Sequence, residues 1–479
     1  MHKPWHSLVF TLILFLGLSV LSFTFPKDGI KFTADASLNF PTFNSLFETK
    51  TAKKDISKIL AEADALDTVT NVIDTTRNLI DTTAVKDTLK TLITSLQYKN
   101  KSVLKNFFDA LSDLKSNPKS IRVLHYGDSQ IEGDRITDYL RLKLQALFGG
   151  SGVGLISFMP VAPSISTKIT YNNNWDRYGV FVFKDKRVKH NNFGPLAGFN
   201  RFANYRTVND SSGTITSEVK ITTTKLGGSN TVNYKKVKLF YGGSQTKTWC
   251  EFYDGPALVS ADSLNAGGYL HLKEYNVGQG SLTHEFKFKG KDSPDFYGVS
   301  LETENGVFVD NIGLRGSSGT FFHQINFSQL KQFYDYLNVK LVILQFGGNV
   351  MPGIKNEGMA TNYANYLRNQ ISIVKKAAPG ASIIFIGPAD MSVKEGTEYV
   401  THPYLEATRD AIKKVALESD CAFFDMYDCM GGKNSMPTWV EQKIAATDYI
   451  HFSPQGARKI ATLFYSSLIN EYNNYLKSK

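Results

Sequence analysis

Residues 121–134 read IRVLHYGDSQIEGD, an apolar and partly β-branched run that stops at a glycine followed by an acid and a serine. Six residues of that kind suit a strand covered on both faces. Gly127 permits a sharp turn at the strand's carboxyl end. The apolar spacing from about Asp134 to Phe148 then predicts a helix. Ser129 is thereby placed on a strand-to-helix turn, near the positive N-terminus of the helix that follows. A serine at such a place also suits a helix cap. The tripeptide GDS alone does not choose between the two roles.

The same grammar extends outward. VLKNFFDALSDLK (103–115) has the spacing of an amphipathic helix. Beyond residue 338 come VKLVILQF (339–346), a helix over 360–378, SIIFIG (382–387), a helix over 402–418, AFFDM (422–426) and a last helix over 454–474. Apolar strands alternating with helices indicate βαβ units and a parallel sheet covered on both faces. Such sheets bind ligands at the carboxyl ends of their strands. Between the two halves, SEVKITTTKL (217–226), YKKVKLFYGG (234–243), GGYLHLKEY (267–275) and LTHEFKFKG (282–290) alternate polar and apolar residues, with Gly, Asn, Asp and Ser clusters between them. That pattern predicts an antiparallel, sandwich-like β-module inserted into the α/β unit. The expected organisation is a membrane anchor or signal peptide over 1–27, a linker and helical stalk over 28–100 whose part from Thr51 to about Tyr98 reads equally as a poorly ordered spacer, an α/β domain over 101–155 and 306–479, and the insert over 156–305.

Leu8 to Phe25 form one uncharged apolar run, long enough to span a bilayer core as a helix. A cleaved signal peptide shows the same character. The absence of a clear small-residue cleavage site favours an anchor. Either segment sends the rest of the chain out of the cytoplasm. The 479 residues carry 42% hydrophobic and 20% charged residues, enough for a sizeable core. A formal charge of +10 favours anionic partners, yet no dense Lys/Arg block or nucleic-acid motif is present. The 23 Tyr and 33 Phe suit β-structure and surfaces that stack on sugars. Cys250, Cys421 and Cys429 cannot all pair; Cys421 and Cys429 can join or stay as buried thiols, and no spacing suggests zinc.

A serine becomes a nucleophile when a base takes its proton and donors receive the negative charge that develops. Asp448 and His451 in TDYIHFSPQGARKI (447–460) are three residues apart in a turn, where a carboxylate can orient an imidazole. Asn349 in LQFGGNVMPG follows an apolar strand and can donate a side-chain amide hydrogen, though a turn asparagine is the simpler reading. Gly316 in VDNIGLRGSSG can offer a backbone N–H, as any turn glycine can. His125 reads as a packed strand residue more than a base. Asp134 and Arg135 suit either the cleft or a helix-end ion pair. Arg315 is equally a solvated loop arginine or a contact for an anionic substrate. His323 and His402 show no partner in sequence.

Taken together, GDS (127–129), GLRG (313–316), GGN (347–349) and DYIH (448–451) resemble, in that order, the four blocks of the SGNH, or GDSL-like, hydrolase superfamily. The resemblance spans about 120–155 and 305–475. It implies a three-layer α/β/α fold with a flavodoxin-like parallel sheet, Ser129 as nucleophile, His451 as general base and Asp448 as its partner. It further implies an oxyanion hole of the Ser129 amide, the Gly316 amide and the Asn349 side chain, with no metal or other cofactor. The sequence departs from the pattern at GDSQ in place of GDSL, at GGNV where an acidic residue often follows Asn, and in the long gap between Ser129 and Gly316. An insert at that place looks like the layout of bacterial peptidoglycan O-acetylesterases. The expected function is therefore that of an extracytoplasmic serine esterase removing O-acetyl groups from cell-envelope glycans, periplasmic or anchored in the inner membrane. A glycan O-acetyltransferase on the same triad and a non-catalytic glycan-binding protein are the alternatives. The oligomeric state stays open.

Overall fold

A computed structural model of the chain describes residues 4–479 apart from 27–28, 33–36, 39, 44–52, 76–94, 182, 204–212 and 279. Five parallel strands form the central sheet: β1 (Ser120–Gly127), β2 (Gly306–Gly313), β3 (Val339–Gln345), β4 (Ser382–Ile386) and β5 (Ala422–Phe424). They lie in the order β2-β1-β3-β4-β5. This is the doubly wound order, in which the direction of strand addition reverses between β1 and β3. Alternate residues face opposite layers. Ile121, Val123, Val309, Ile343 and Ile384 pack with helices α2 (Ser57–Thr75), α3 (Lys105–Asp113), α4 (Thr137–Phe148) and α8 (Pro454–Ser478). Leu124, Tyr126, Val342, Leu344 and Phe385 pack with α5 (Phe327–Tyr336), α6 (Glu357–Ala377) and α7 (Leu405–Glu418). The expected three-layer α/β/α architecture is present.

Three features depart from the sequence reading. The first is β2, which the sequence reading passes over. Its Asp310 is fully buried in mid-strand, which hides the apolar pattern, and the charge is met by Arg122 of β1 at 3.1 Å. The second is the helix expected from Asp134, which begins at Thr137 after a 3₁₀ turn over Glu132–Asp134. There Arg141 grips the Asp134 carboxylate at 2.7 and 2.9 Å, and Asp134 takes a left-handed φ of 73°. Ser129 therefore does not sit on the first turn of that helix. The third concerns the expected stalk, of which residues 76–94 lie outside the described residues. Ile56, Ile59, Ala63 and Leu66, at the start of α2 and just before it, are buried in the core beside α8. Asp64 and Asp67 pair with Lys459 and Arg458 at 2.7 and 3.2 Å. An apolar stripe at helical spacing buries itself where a partner is within reach.

The first helix, α1 (Pro4–Thr24), has a mean hydropathy of 2.2 and is almost entirely exposed. At 1.5 Å per residue it is about 32 Å long. It is long and apolar enough to cross a membrane, the one such helix among the described residues.

The β-module is a sandwich of two antiparallel sheets. One contains 257–264, 248–254, 283–290, 215–223 and 167–171; the other contains 271–276, 236–242, 295–302, 198–201 and 176–179. Strand 154–156 pairs with 295–302, so sheet pairing begins slightly before the expected boundary at 156. Phe158, Trp175, Phe252, Phe286, Phe288 and Phe296 fill the space between the sheets. On its outer side the second sheet rests on α5, with the Phe240 and Tyr297 rings each 5.5 Å from that of Phe333. Replacing Phe240 by Leu should cost about 1 kcal/mol through lost ring contacts. Urea unfolding would register this, and an unchanged midpoint would mean the module does not lean on α5. Cys250, Cys421 and Cys429 are all buried, with no disulfide.

Candidate active site

The reversal between β1 and β3 opens a crevice at their carboxyl ends, and the expected site residues lie on the loops there. Ser129 follows β1, Asn349 follows β3, and Asp448 and His451 sit just before α8. Gly347, at φ 130°, takes a backbone conformation that side-chain-bearing residues rarely adopt, and turns the chain out of β3 toward Asn349. Tyr449 turns left-handed at φ 59° between Asp448 and His451, its ring stacked 3.6 Å from that of Tyr399. The Tyr449 carbonyl accepts from the Ser392 amide at 3.0 Å. The hairpin carrying Ser392 and Tyr399 thus braces the turn that makes the acid and the imidazole face each other.

Ser129 Oγ lies 2.8 Å from His451 Nε2, and His451 Nδ1 lies 2.7 Å from Asp448 Oδ2. The other carboxylate oxygen of Asp448 accepts from the amides of Ile450 at 2.9 Å and His451 at 3.0 Å. Partial burial works to raise the Asp448 pKa. The hydrogen bonds from the His451 amide, its ring and the Ile450 amide outweigh this and hold the carboxyl below its ordinary value. An ionised acid in that position orients the ring, with Nδ1 turned to the carboxylate and Nε2 turned to the serine.

Asn349 stands on the far side of the same crevice. Its Nδ2 donates to Asp128 Oδ2 and to the Ser317 carbonyl, both at 3.1 Å. Burial pushes the Asp128 carboxyl up to about 6, against the opposing effects of the Gln130 amide, His451, Asn349 and Arg135. Gly316 occupies the turn after β2 at φ 77°; that turn is held to β1 by the Leu314 amide on the Gly127 carbonyl at 2.8 Å. Ser317, the next residue, is the one bonded to Asn349, so the Gly316 and Asn349 loops are tied together.

The remaining candidates have structural partners. His125 is buried between Gln345 at 3.1 Å and Thr137 at 3.0 Å, and burial lowers its pKa to about 4. It packs within the fold. Asp134 makes its ion pair with Arg141 in the interior. Arg315 is bound by both oxygens of Glu132, at 2.6 to 3.0 Å. His323 meets the Gln370 amide at 3.2 Å, and His402 accepts from the Tyr404 amide at 3.3 Å. Arg135 donates to the carbonyls of Ser129, Glu132 and Phe452. Two further side chains touch the site but escape the sequence reading. Asp128 orients Asn349, and Gln130 bonds the backbone on both sides of His451. The available signal was the polar residue in GDSQ at a position where GDSL has an apolar one.

A cavity of about 140 Å³ lies against Asp128, Ser129, Asn349, Pro352, Met391 and His451. A larger one, about 530 Å³ and mainly apolar, lies where the module meets the Gly133 and Arg315 loops; neither Ser129 nor His451 lines it. Of the two, it is the smaller space that Ser129, Asn349 and His451 line.

Residues 279–459 match the GDSL-like Lipase/Acylhydrolase family. The matched stretch contains Gly316, Asn349, Asp448 and His451, while Ser129 lies ahead of the inserted module. No curated protein sequence matches the chain. Among solved structures, a peptidoglycan O-acetylesterase is similar over 79% of this chain and 99% of its own, at 20% identity and a TM-score of 0.61. That likeness is one of fold, insert included. An acetylxylan esterase from Geobacillus stearothermophilus aligns over 35% of this chain and 74% of its own, at 17% identity and a TM-score of 0.25.

Proposed function

We propose, for a chain whose residues 279–459 match the GDSL-like Lipase/Acylhydrolase family, that it is a serine esterase removing O-acetyl groups from cell-envelope glycans. The observation that carries this reading is the continuous hydrogen-bonded line Ser129–His451–Asp448, at 2.8 and 2.7 Å, facing a small cavity. Ser129 Oγ attacks the ester carbonyl carbon as His451 Nε2 takes its proton, and the carbonyl electron pair moves to oxygen. The oxyanion is received by the amides of Ser129 and Gly316 and by Asn349. One Asn349 hydrogen then leaves the neutral Ser317 carbonyl for the charged oxygen, a stronger charge-assisted bond, while Asp128 keeps the other. Collapse expels the glycan alkoxide, which takes the proton from His451. Water, deprotonated by the same ring, attacks the acyl-enzyme, acetate leaves, and Ser129 regains its proton. A cavity of about 140 Å³ suits a short acyl group. The β-module beside the domain would help seat a polymer, and α1 would hold the protein at the outer face of the membrane.

Acetate released from O-acetylated peptidoglycan, with and without a glycan acceptor, tests this reading. Release that is indifferent to the acceptor is expected. Transfer of acetyl to the acceptor would make the protein a transferase, and binding without release would make it a glycan-binding protein. Asn349→Ala should lower kcat about a hundredfold with little change in KM, the usual effect of removing one oxyanion donor. An unchanged kcat would remove Asn349 from the hole.

A further inference from the structure

Resting on the triad reading above, the geometry points to Gln130 as the residue that holds His451 in register with Ser129. Its carboxamide reads the backbone edge of the loop carrying His451, much as a neighbouring strand would. Gln130 Nε2 donates to the Ile450 carbonyl at 2.8 Å, and Gln130 Oε1 accepts from the Phe452 amide at 3.3 Å. The two bonded residues are those immediately before and after His451. Gln130 is also the residue immediately after Ser129, and its own amide is fixed by Asp128 Oδ1 at 2.9 Å. One planar group, 8% exposed, therefore spans two loops that are 322 residues apart in sequence, at the point where nucleophile and base must meet.

The opposite edge of the His451 loop is held independently. The Ala446 amide donates to the His451 carbonyl at 2.8 Å and the Ser453 amide to the Ile444 carbonyl at 3.1 Å. Those contacts fix the loop to its own neighbours. They do not set its distance from Ser129. Arg135 makes a second bridge of the same kind, donating to the carbonyls of Ser129 and Phe452. With Arg135 present, loss of the Gln130 bridge would loosen the register without releasing the loop. Gln130 touches no reacting atom, so it is a positioning residue. Since misplacement of a catalytic group by about 1 Å costs on the order of a hundredfold, its removal should be felt in kcat and scarcely in KM.

Two variants test this with a small acetyl ester. Gln130→Met keeps the length and volume but neither bond, and should lower kcat by about 10- to 100-fold at constant KM. Gln130→Glu keeps the acceptor for Phe452 but sets a carboxylate against the Ile450 carbonyl, a clash relieved when the acid is protonated and donates. Its activity relative to wild type should therefore rise as pH falls, a trend that general loosening of the fold would not produce. The low-field proton resonance of the His451 Nδ1–H gives a readout independent of turnover, expected in wild type and broadened or shifted in Gln130→Met. Wild-type turnover with both variants equal to it, and the resonance unmoved, would overturn the role of Gln130. Absence of turnover in wild type would instead count against the esterase reading, and the resonance would still decide whether Gln130 positions the ring.

Discussion

Ser129→Ala is expected to lower kcat on a small acetyl ester by at least about a thousandfold, with KM little changed. The variant leaves His451, Asp448 and the oxyanion donors in place and removes only the atom that becomes bonded to the acyl group. Ser129 is only part-buried and its Oγ makes one hydrogen bond, to His451, so the fold should hardly register the loss. What remains is the donors acting on attack by water, a residual far below the covalent route. Steady-state kinetics of wild type and variant, both shown to be folded by circular dichroism, check this. A loss of less than about tenfold would mean that another group carries the reaction.

Arg122→Met should destabilise the protein by about 3–5 kcal/mol, the range for breaking a buried ion pair from one side. Arg122 lies on β1 and is 1% exposed. Its guanidinium meets Glu302 of the module at 2.5 Å and Asp310 of β2 at 3.1 Å, with Ser300 Oγ at 3.4 Å. It therefore joins three segments: the first sheet strand, the edge strand and the end of the insert. Burial works to raise the pKa of Glu302, but Arg122 and Lys238 overcome this and hold it at about 2. Without Arg122, Asp310 is left as a buried carboxylate with no ion-pair partner among the described residues, and Glu302 keeps Lys238. Adding Asp310→Asn to Arg122→Met should recover part of the loss, because the stranded charge goes with it. Urea unfolding of the three proteins measures both effects. A cost under about 1 kcal/mol for Arg122→Met would show that the network contributes little.

The parts of this molecule that follow from local pattern were legible in sequence. IRVLHY, VKLVILQF, SIIFIG and AFFDM each announce a buried strand, and each lies in the sheet. The hydrogen-bonded line of Ser129, His451 and Asp448 was legible because Ser129 stands at a strand end and because Asp448 and His451 are only three residues apart. What escaped depends on partners distant in the chain. Strand β2 was hidden by Asp310, whose charge makes sense only beside Arg122. The docking of α2 depends on apolar side chains of α8 that share its core. Gln130 looks like a minor variation until Ile450 and Phe452 are seen against it. In each case a polar or amphipathic residue takes its meaning from a segment that local periodicity does not reach.

The esterase reading rests on activation of Ser129 by His451 and Asp448. Treating the protein with a serine-directed organophosphonate and mapping the adduct by peptide mass spectrometry tests it most directly. A single adduct on Ser129, lost in His451→Ala, is the result expected. An unlabelled Ser129 in folded protein, or labelling that persists unchanged without His451, would contradict it.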